Sequence, residues 1–533
     1  MKLTNKALLI AALGVAIAAP AFSQDDSSAL FADQSAESAA PAAETSAAAQ
    51  SAASGSDFML RLSGDHEFDY HFPVYSSPYN YDGQMTSPAF TNDLGVELQD
   101  GQIKLISHWA LDLSPEYSSS SSEYGVAGND TLLKPLENYI SWNPSAFKLA
   151  FGYQVFSWGV ADKVNPTDNL NPRDSTVGWN ADKIPVLAAD ANWYATDNFS
   201  VEAVFLPYKQ TSIYPVDFAD EITSSQLTEF FVTSSGSKVD YSSLAYDPGS
   251  AVAGGKLNYH SSSVDFSLSY LYDIDAFYTP EITTTLTPKG YDISSISLDR
   301  RRIQRIGADA KTTIGKFGLW FEGCYSLTDN SGSDDYSVRN SNLAYVLGCD
   351  TNYGPNDSYY ADIQYIGTWI PNYDSSSTSS YTSFLYGAKT NPLAVYSQLT
   401  SQSYMQEFYE RQTVNSLGLE SEGLIQGVTL NLKWEFLDGL LTPQVTAVYT
   451  VPFLYDTTSA TRYGDLALNP EIDLKPVDSF HIKLGADLAY AWVKNQGSDS
   501  VSLDTTTDKI GSYTPFNNVY LTVLYKWNYD LKK

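Results

Sequence analysis

The 533-residue sequence predicts an all-β protein, a transmembrane antiparallel β-barrel of about eighteen strands, with sixteen as the alternative count. Three observations carry this prediction. Stretches of about ten residues alternate apolar and polar side chains with period two, the pattern of a strand with two unlike faces. Short turns alternate with long polar connections, as in barrels with tight periplasmic turns and long extracellular loops. An export signal opens the chain, and no later stretch approaches the ~20 consecutive apolar residues of a membrane-spanning helix.

Residues 1–23 form the signal peptide. Lys2 and Lys6 precede an apolar run from Ala7 to Ala19, and Ala21-Phe22-Ser23 places small residues before an expected cut at Gln24. Residues 24–56 include SAESAAPAAETSAAAQSAASGS, which has nothing to bury and reads as a disordered periplasmic extension. The barrel then occupies residues 57–533.

Within it, the strands are expected at 58–72, 90–99, 102–113, 136–143, 147–157 and 186–195. They continue at 199–208, 252–260, 264–274, 303–313, 317–328 and 342–351. The last six are 359–370, 424–436, 441–451, 463–474, 478–492 and 517–529. In FKLAFGYQVFSW, Phe147, Leu149, Phe151, Tyr153 and Val155 alternate with Lys148, Ala150, Gly152 and Gln154. In SVDFSLSYLYDI, Val264, Phe266, Leu268 and Tyr270 alternate with Asp265, Ser267 and Ser269. The turns QDGQ, NPS, ATDN, GK, YGPND and LDG are short, whereas the connections 114–135, 158–185, 209–251, 275–302 and 371–423 are long. Pro470 interrupts 463–474, but dropping that strand would leave an odd number. The closing segment NNVYLTVLYKWNYDLKK has an apolar face of Val519, Val523, Tyr525, Trp527 and Tyr529, expected to meet lipid. A final strand ending in an aromatic resembles the assembly signal of Gram-negative outer-membrane barrels, which implies recognition by the barrel-assembly machinery. Here Asp530-Leu531-Lys532-Lys533 follow the last aromatic.

Composition narrows the partners. The net charge is −31, with 62 acidic against 31 basic side chains, which argues against nucleic acid. The 39 Tyr and 10 Trp suit rings that sit with one end dry and the other wet. The expected partners are outer-membrane lipid, lipopolysaccharide and small solutes. A homo-oligomer is compatible with the sequence, and no cofactor or metal is expected. The two cysteines, Cys324 and Cys349, fall on opposite strand faces and are not expected to pair.

The most distinctive text is FGYQVFSWGVADKVNPTDNLNPRD followed by NADKIPVLAADANWYATDNFSVEAVFLP. Its Gly-x-Gln strand, Trp158-Gly159, Ala161-Asp162, repeated Asn-Pro and Lys-Ile-Pro resemble porin-like outer-membrane barrels, the alginate-export type among them. The resemblance is specific over about 150–210 and implies an outer-membrane pore without naming its solute.

Residues 158–185 are the third long loop, the one that commonly folds inward in porins. It carries Asp162, Asp168, Asp174 and Asp182 beside Lys163, Arg173 and Lys183, and its Asn-Pro pairs stiffen it. The alternative is an ordinary external loop packed by the same residues. On the wall, parity points Gln154, Arg301, Arg305, Asn431, His481, Lys483 and Asp487 to the lumen. Arginines opposite an acidic loop would set a transverse field at a constriction; at the outer rim they would instead contact lipopolysaccharide phosphates. The expected function is passive diffusion of small solutes, with a lean toward cations. A surface-exposed structural barrel or adhesin without transport is the alternative, since loops such as SSSTSSYTSF are suited to binding. An enzyme is not expected, because the five histidines lack a placed nucleophile. Nor can 24–56 supply the plug of a much larger gated receptor.

Overall fold

The structure, a computed structural model, describes residues 58–74, 89–112, 133–174, 182–212, 238–240, 248–275, 279–287, 290–332, 338–373, 384, 387, 390–391, 393–416, 423–452, 461–494, 501–504, 514 and 517–532. The signal peptide 1–23 and the extension 24–56 lie outside the described residues.

The ring begins with β1 (Phe58–Pro73), β2 (Ala89–Asp100), β3 (Ile103–Asp112), β4 (Leu133–Trp142), β5 (Phe147–Gln154) and β6 (Val186–Thr196). It continues with β7 (Phe199–Leu206), β8 (Val252–His260), β9 (Val264–Ile274), β10 (Arg302–Ile314), β11 (Phe317–Leu327) and β12 (Asn342–Tyr353). It ends with β13 (Tyr359–Trp369), β14 (Leu424–Trp434), β15 (Leu441–Pro452), β16 (Thr461–Val477), β17 (Phe480–Lys494) and β18 (Asn518–Lys532). Each strand pairs antiparallel with its neighbours in the chain. β1 also pairs with β18, from Met59 opposite Lys532 to Pro73 opposite Asn518, so the sheet closes at eighteen strands. Closure pairs the two edges that an open sheet would expose. The short strand Val501–Asp504 pairs with Ala491–Lys494 at the end of β17, beyond the stretch that pairs with β18, and belongs to the same sheet.

Pro470 does not break β16. It lies opposite Val445 of β15, and the ladder to β17 steps over it, from Leu468–Leu488 to Glu471–Gly485. A proline has no amide hydrogen to give, and the side chain of Asn469 supplies a bond there instead, donating to Ala486 O at 3.2 Å.

Period two sorts the side chains. Phe151, Leu268, Ile306, Leu347, Ile363, Leu484 and Val519 are exposed on the outer face, whereas Gln154, Ser267, Asp273, Glu322, Gln364 and Thr429 are buried on the inner one. Exposed aromatics band the outer face at both ends. Trp142, Phe147, Trp193, Phe199, Tyr259, Phe317 and Phe436 lie by the short turns, and Phe72, Phe90, Phe205, Tyr272 and Trp369 by the long connections. The turns after β2 and β10 each need a left-handed residue, met by Gly101 (φ 61°) and Gly315 (φ 66°). Cys324 is buried on the inner face and Cys349 points outward; both are free.

At the long-connection end, a hairpin of Thr279–Thr287 and Gly290–Asp299 stands between β9 and β10. The helix Gln402–Ser416 packs against it: Glu410 accepts from the Ile282 amide at 3.4 Å, and the Tyr409 hydroxyl donates to Tyr291 O at 3.3 Å. Among the described residues no helix is long and apolar enough to cross a membrane.

Candidate functional site

The connection from β5 to β6 is tied first to its own stem. Asn171 accepts from the Phe156 amide at 2.7 Å and donates to Gln154 O at 3.1 Å and Ile184 O at 2.9 Å. Phe156, Trp158 and Leu170 pack on the inward side chains Val186, Ala188, Val204, Leu206, Val252 and Leu271 of β6–β9. The Trp158 indole donates to Glu202 at 3.0 Å. Arg173-Asp174 pairs with Lys183 and Asp182 as a two-residue ladder. The buried Asp168 carboxylate takes both Arg173 (3.1 Å) and Lys183 (2.7 Å).

The next contacts are distant in the ring. The inward carboxylate of Glu322 on β11 accepts from the amides of Val160 (2.8 Å), Ala161 (3.0 Å) and Thr167 (2.7 Å) and from the Thr167 hydroxyl (2.9 Å). Hydrogen bonds to a charged acceptor are each worth roughly 1.5–3 kcal/mol net. Four of them offset part of the cost of burying the carboxylate. Gln364 on β13 donates to Asp162 O at 2.8 Å. Ala161 and Val164 pack against Val346, Ile366, Val448 and Ala467, which belong to β12, β13, β15 and β16. In an eighteen-strand ring these lie seven or eight places from β5, near the maximum of nine.

Lys163 takes a left-handed backbone (φ 58°) at this point. Burial lowers its pKa from the ordinary lysine value, while Asp162, Asp362 and Glu471 act in the opposite sense. Burial likewise raises Asp162 above the usual carboxylate range, opposed by Lys311 and Lys163.

On the other side of the loop, Lys209 donates to Asn169 O at 2.6 Å and to both oxygens of Asp273 on β9, at 2.8 and 2.9 Å. Arg305 on β10 reaches the same carboxylate at 3.1 Å and donates to Ser326 at 2.9 Å. The expected field between arginines and loop acids therefore takes another form: Arg305 is held by a wall carboxylate, and Asp168 by bases of its own loop. Arg301 stands one residue before β10, where its carbonyl accepts from the Asp275 amide at 2.8 Å, and its guanidinium lies 3.5 Å from Glu281 of the hairpin.

Of the remaining wall residues, Gln154 donates to Ala188 O at 3.1 Å, and Asn431 stands opposite Asp362 and Thr446. His481 lies 3.0 Å from Asp473, Lys483 is buried, and Asp487 accepts from Asn469 at 2.9 Å. Sequence reasoning missed Glu322, Asp273 and Lys209. Glu322 had a readable signal, an acid on the inward parity of an otherwise apolar stretch, LWFEGCY. Lys209 had none, because it lies in a connection.

No protein-family model matches the chain, and no curated protein sequence matches it. Among solved structures it is similar to OccK5 (OpdH) of Pseudomonas aeruginosa, with 10% identity, 89% of this chain and 98% of that one covered, and a TM-score of 0.42. It is similar to OccAB1 of Acinetobacter baumannii, with 9% identity, 91% and 99% covered, and a TM-score of 0.45. It is also similar to the outer membrane channel DcaP of Acinetobacter baumannii, with 10% identity, 88% and 96% covered, and a TM-score of 0.36.

Proposed function

We propose that this chain is an outer-membrane channel for passive diffusion of small solutes, in which loop 158–185 folds inward and narrows the passage. The observation that carries the proposal is the pair of unlike faces on a closed ring. The outer face is apolar and banded by exposed aromatics at both ends, while the inner face is lined by Asp, Glu, Lys, Asn and Gln. Such a wall suits lipid outside and water inside, since a closed sheet leaves no backbone group unpaired in the membrane. Eighteen strands are also too many for wall side chains alone to fill the interior. The contacts of Glu322, Gln364 and Val448 with residues 160–167 support a loop that spans the interior rather than standing outside it.

The passage favours cations. Removal of the signal peptide leaves 29 basic against 62 acidic side chains, a net charge of −33. Low-dielectric walls focus such a field and concentrate counter-ions at the mouth. The test of the channel itself is swelling of liposomes carrying the refolded protein in isotonic solutions of neutral sugars. Swelling that falls with sugar size is the expected result; liposomes as tight as protein-free ones would leave a structural barrel or adhesin.

A further inference from the structure

We propose that Glu322 is a latch: one carboxylate on the barrel wall that holds the constricting loop in its narrow position, so that its charge sets the width of the passage. The inference rests on the reading of loop 158–185 as the constriction. Glu322 is fully buried, yet among the described residues no lysine or arginine bonds it; its four bonds all come from the loop. Oε2 takes the amides of Val160 and Ala161, and Oε1 takes the amide and hydroxyl of Thr167. Successive amides turned onto one anion form a nest, a concavity that binds negative charge.

The loop is shaped to that carboxylate. Gly159 adopts φ 98°, and a Cβ there would lie 2.4 Å from Glu322 Oε2 and 2.3 Å from Asn165 Oδ1. Only glycine lets the chain approach so closely. Apolar packing fixes the stem through Phe156, Trp158 and Leu170, whereas the segment 160–167 meets the wall through the bonds of Glu322 and Gln364 beside the packing of Ala161 and Val164. Neutralising Glu322 thus weakens the acceptor of three amides at once, and glutamine takes away one of its two oxygens. Glutamine is a poor replacement, because its amide nitrogen presents hydrogens to donors.

A lockable control is built into the wall. Asn169 Nδ2 lies 4.0 Å from the free Sγ of Cys324, so Asn169→Cys sets a second thiol beside the native one. Oxidation joins the two sulfurs, each losing a hydrogen to an added disulfide such as oxidised glutathione; reduction by dithiothreitol reverses it. The loop is then held without Glu322.

The experiment records single-channel conductance of the full-length protein and four variants in planar bilayers: deletion of 164–174, Glu322→Gln, Asn169→Cys, and Glu322→Gln with Asn169→Cys. Higher conductance in E322Q, moving toward the deletion variant, with a return to the parent value when the double variant is oxidised, supports the latch. A folded E322Q with the parent conductance, beside a deletion variant that conducts more, overturns the latch and leaves the constriction standing. A deletion variant with unchanged conductance overturns both. Should E322Q not assemble, Thr167→Val replaces it; an unchanged conductance and noise level there also overturn the latch.

Discussion

Gly348 and Trp320 show how closely single residues are fitted on the inner wall. The Trp320 ring covers Gly348 of the adjacent strand, and a Cβ at 348 would lie 2.0 Å from it. Gly348→Ala is expected to destabilise the barrel by about 1–3 kcal/mol, the usual cost of overpacking, measured by urea unfolding in lipid vesicles. On the opposite face, Leu268→Arg puts a charge in the middle of β9, where lipid is expected. A loss of ~2–4 kcal/mol should follow; an unchanged midpoint would mean that this face does not meet hydrocarbon. At this scale the sequence was legible wherever a residue sat inside a strand. The alternation that makes Leu268 outward and Ser267 inward is a consequence of the pleat, and needs no knowledge of the partner strand. It was silent on Lys209, whose partners Asp273 and Asn169 are distant in the chain.

Among the elements, the eighteen strands were readable because each carries its own two-faced pattern and is bounded by turns with their own residues. β16 is instructive: a proline ordinarily argues against a central strand, but the parity of a closed ring required this one. Asn469 shows how the ring accommodates it. The loop 158–185 was recognisable as unusual from its Asn-Pro pairs and mixed charges, but the contacts that hold it were not. Glu322 lies more than 150 residues away, and periodicity carries no information at that separation. The prediction here is that deleting 164–174 raises conductance while the circular dichroism of the barrel is unchanged. The deletion also takes Leu170 and Asn171 from the stem, so Phe156 and Trp158 alone are left to pack against β6–β9. A folded deletion variant that conducts no better would make the segment an external loop.

For the whole molecule, charge and closure decide behaviour. With the proposed signal peptide removed, a net charge of −33 predicts a reversal potential of cation-selective sign in dilute salt. The preference should weaken at ~1 M, where the Debye length is ~3 Å. Lys209 and Arg305 oppose it locally, but both are bonded to Asp273, so little of their field is unopposed. An anion-selective potential in dilute salt would mean that the bases near the loop outweigh the total. The most direct test of the central claim, that this ring is an open channel, is the current through one refolded copy in a planar lipid bilayer. The account predicts discrete, reproducible steps of current whose size grows with salt concentration; a protein that inserts with its sheet intact and passes no current would contradict it.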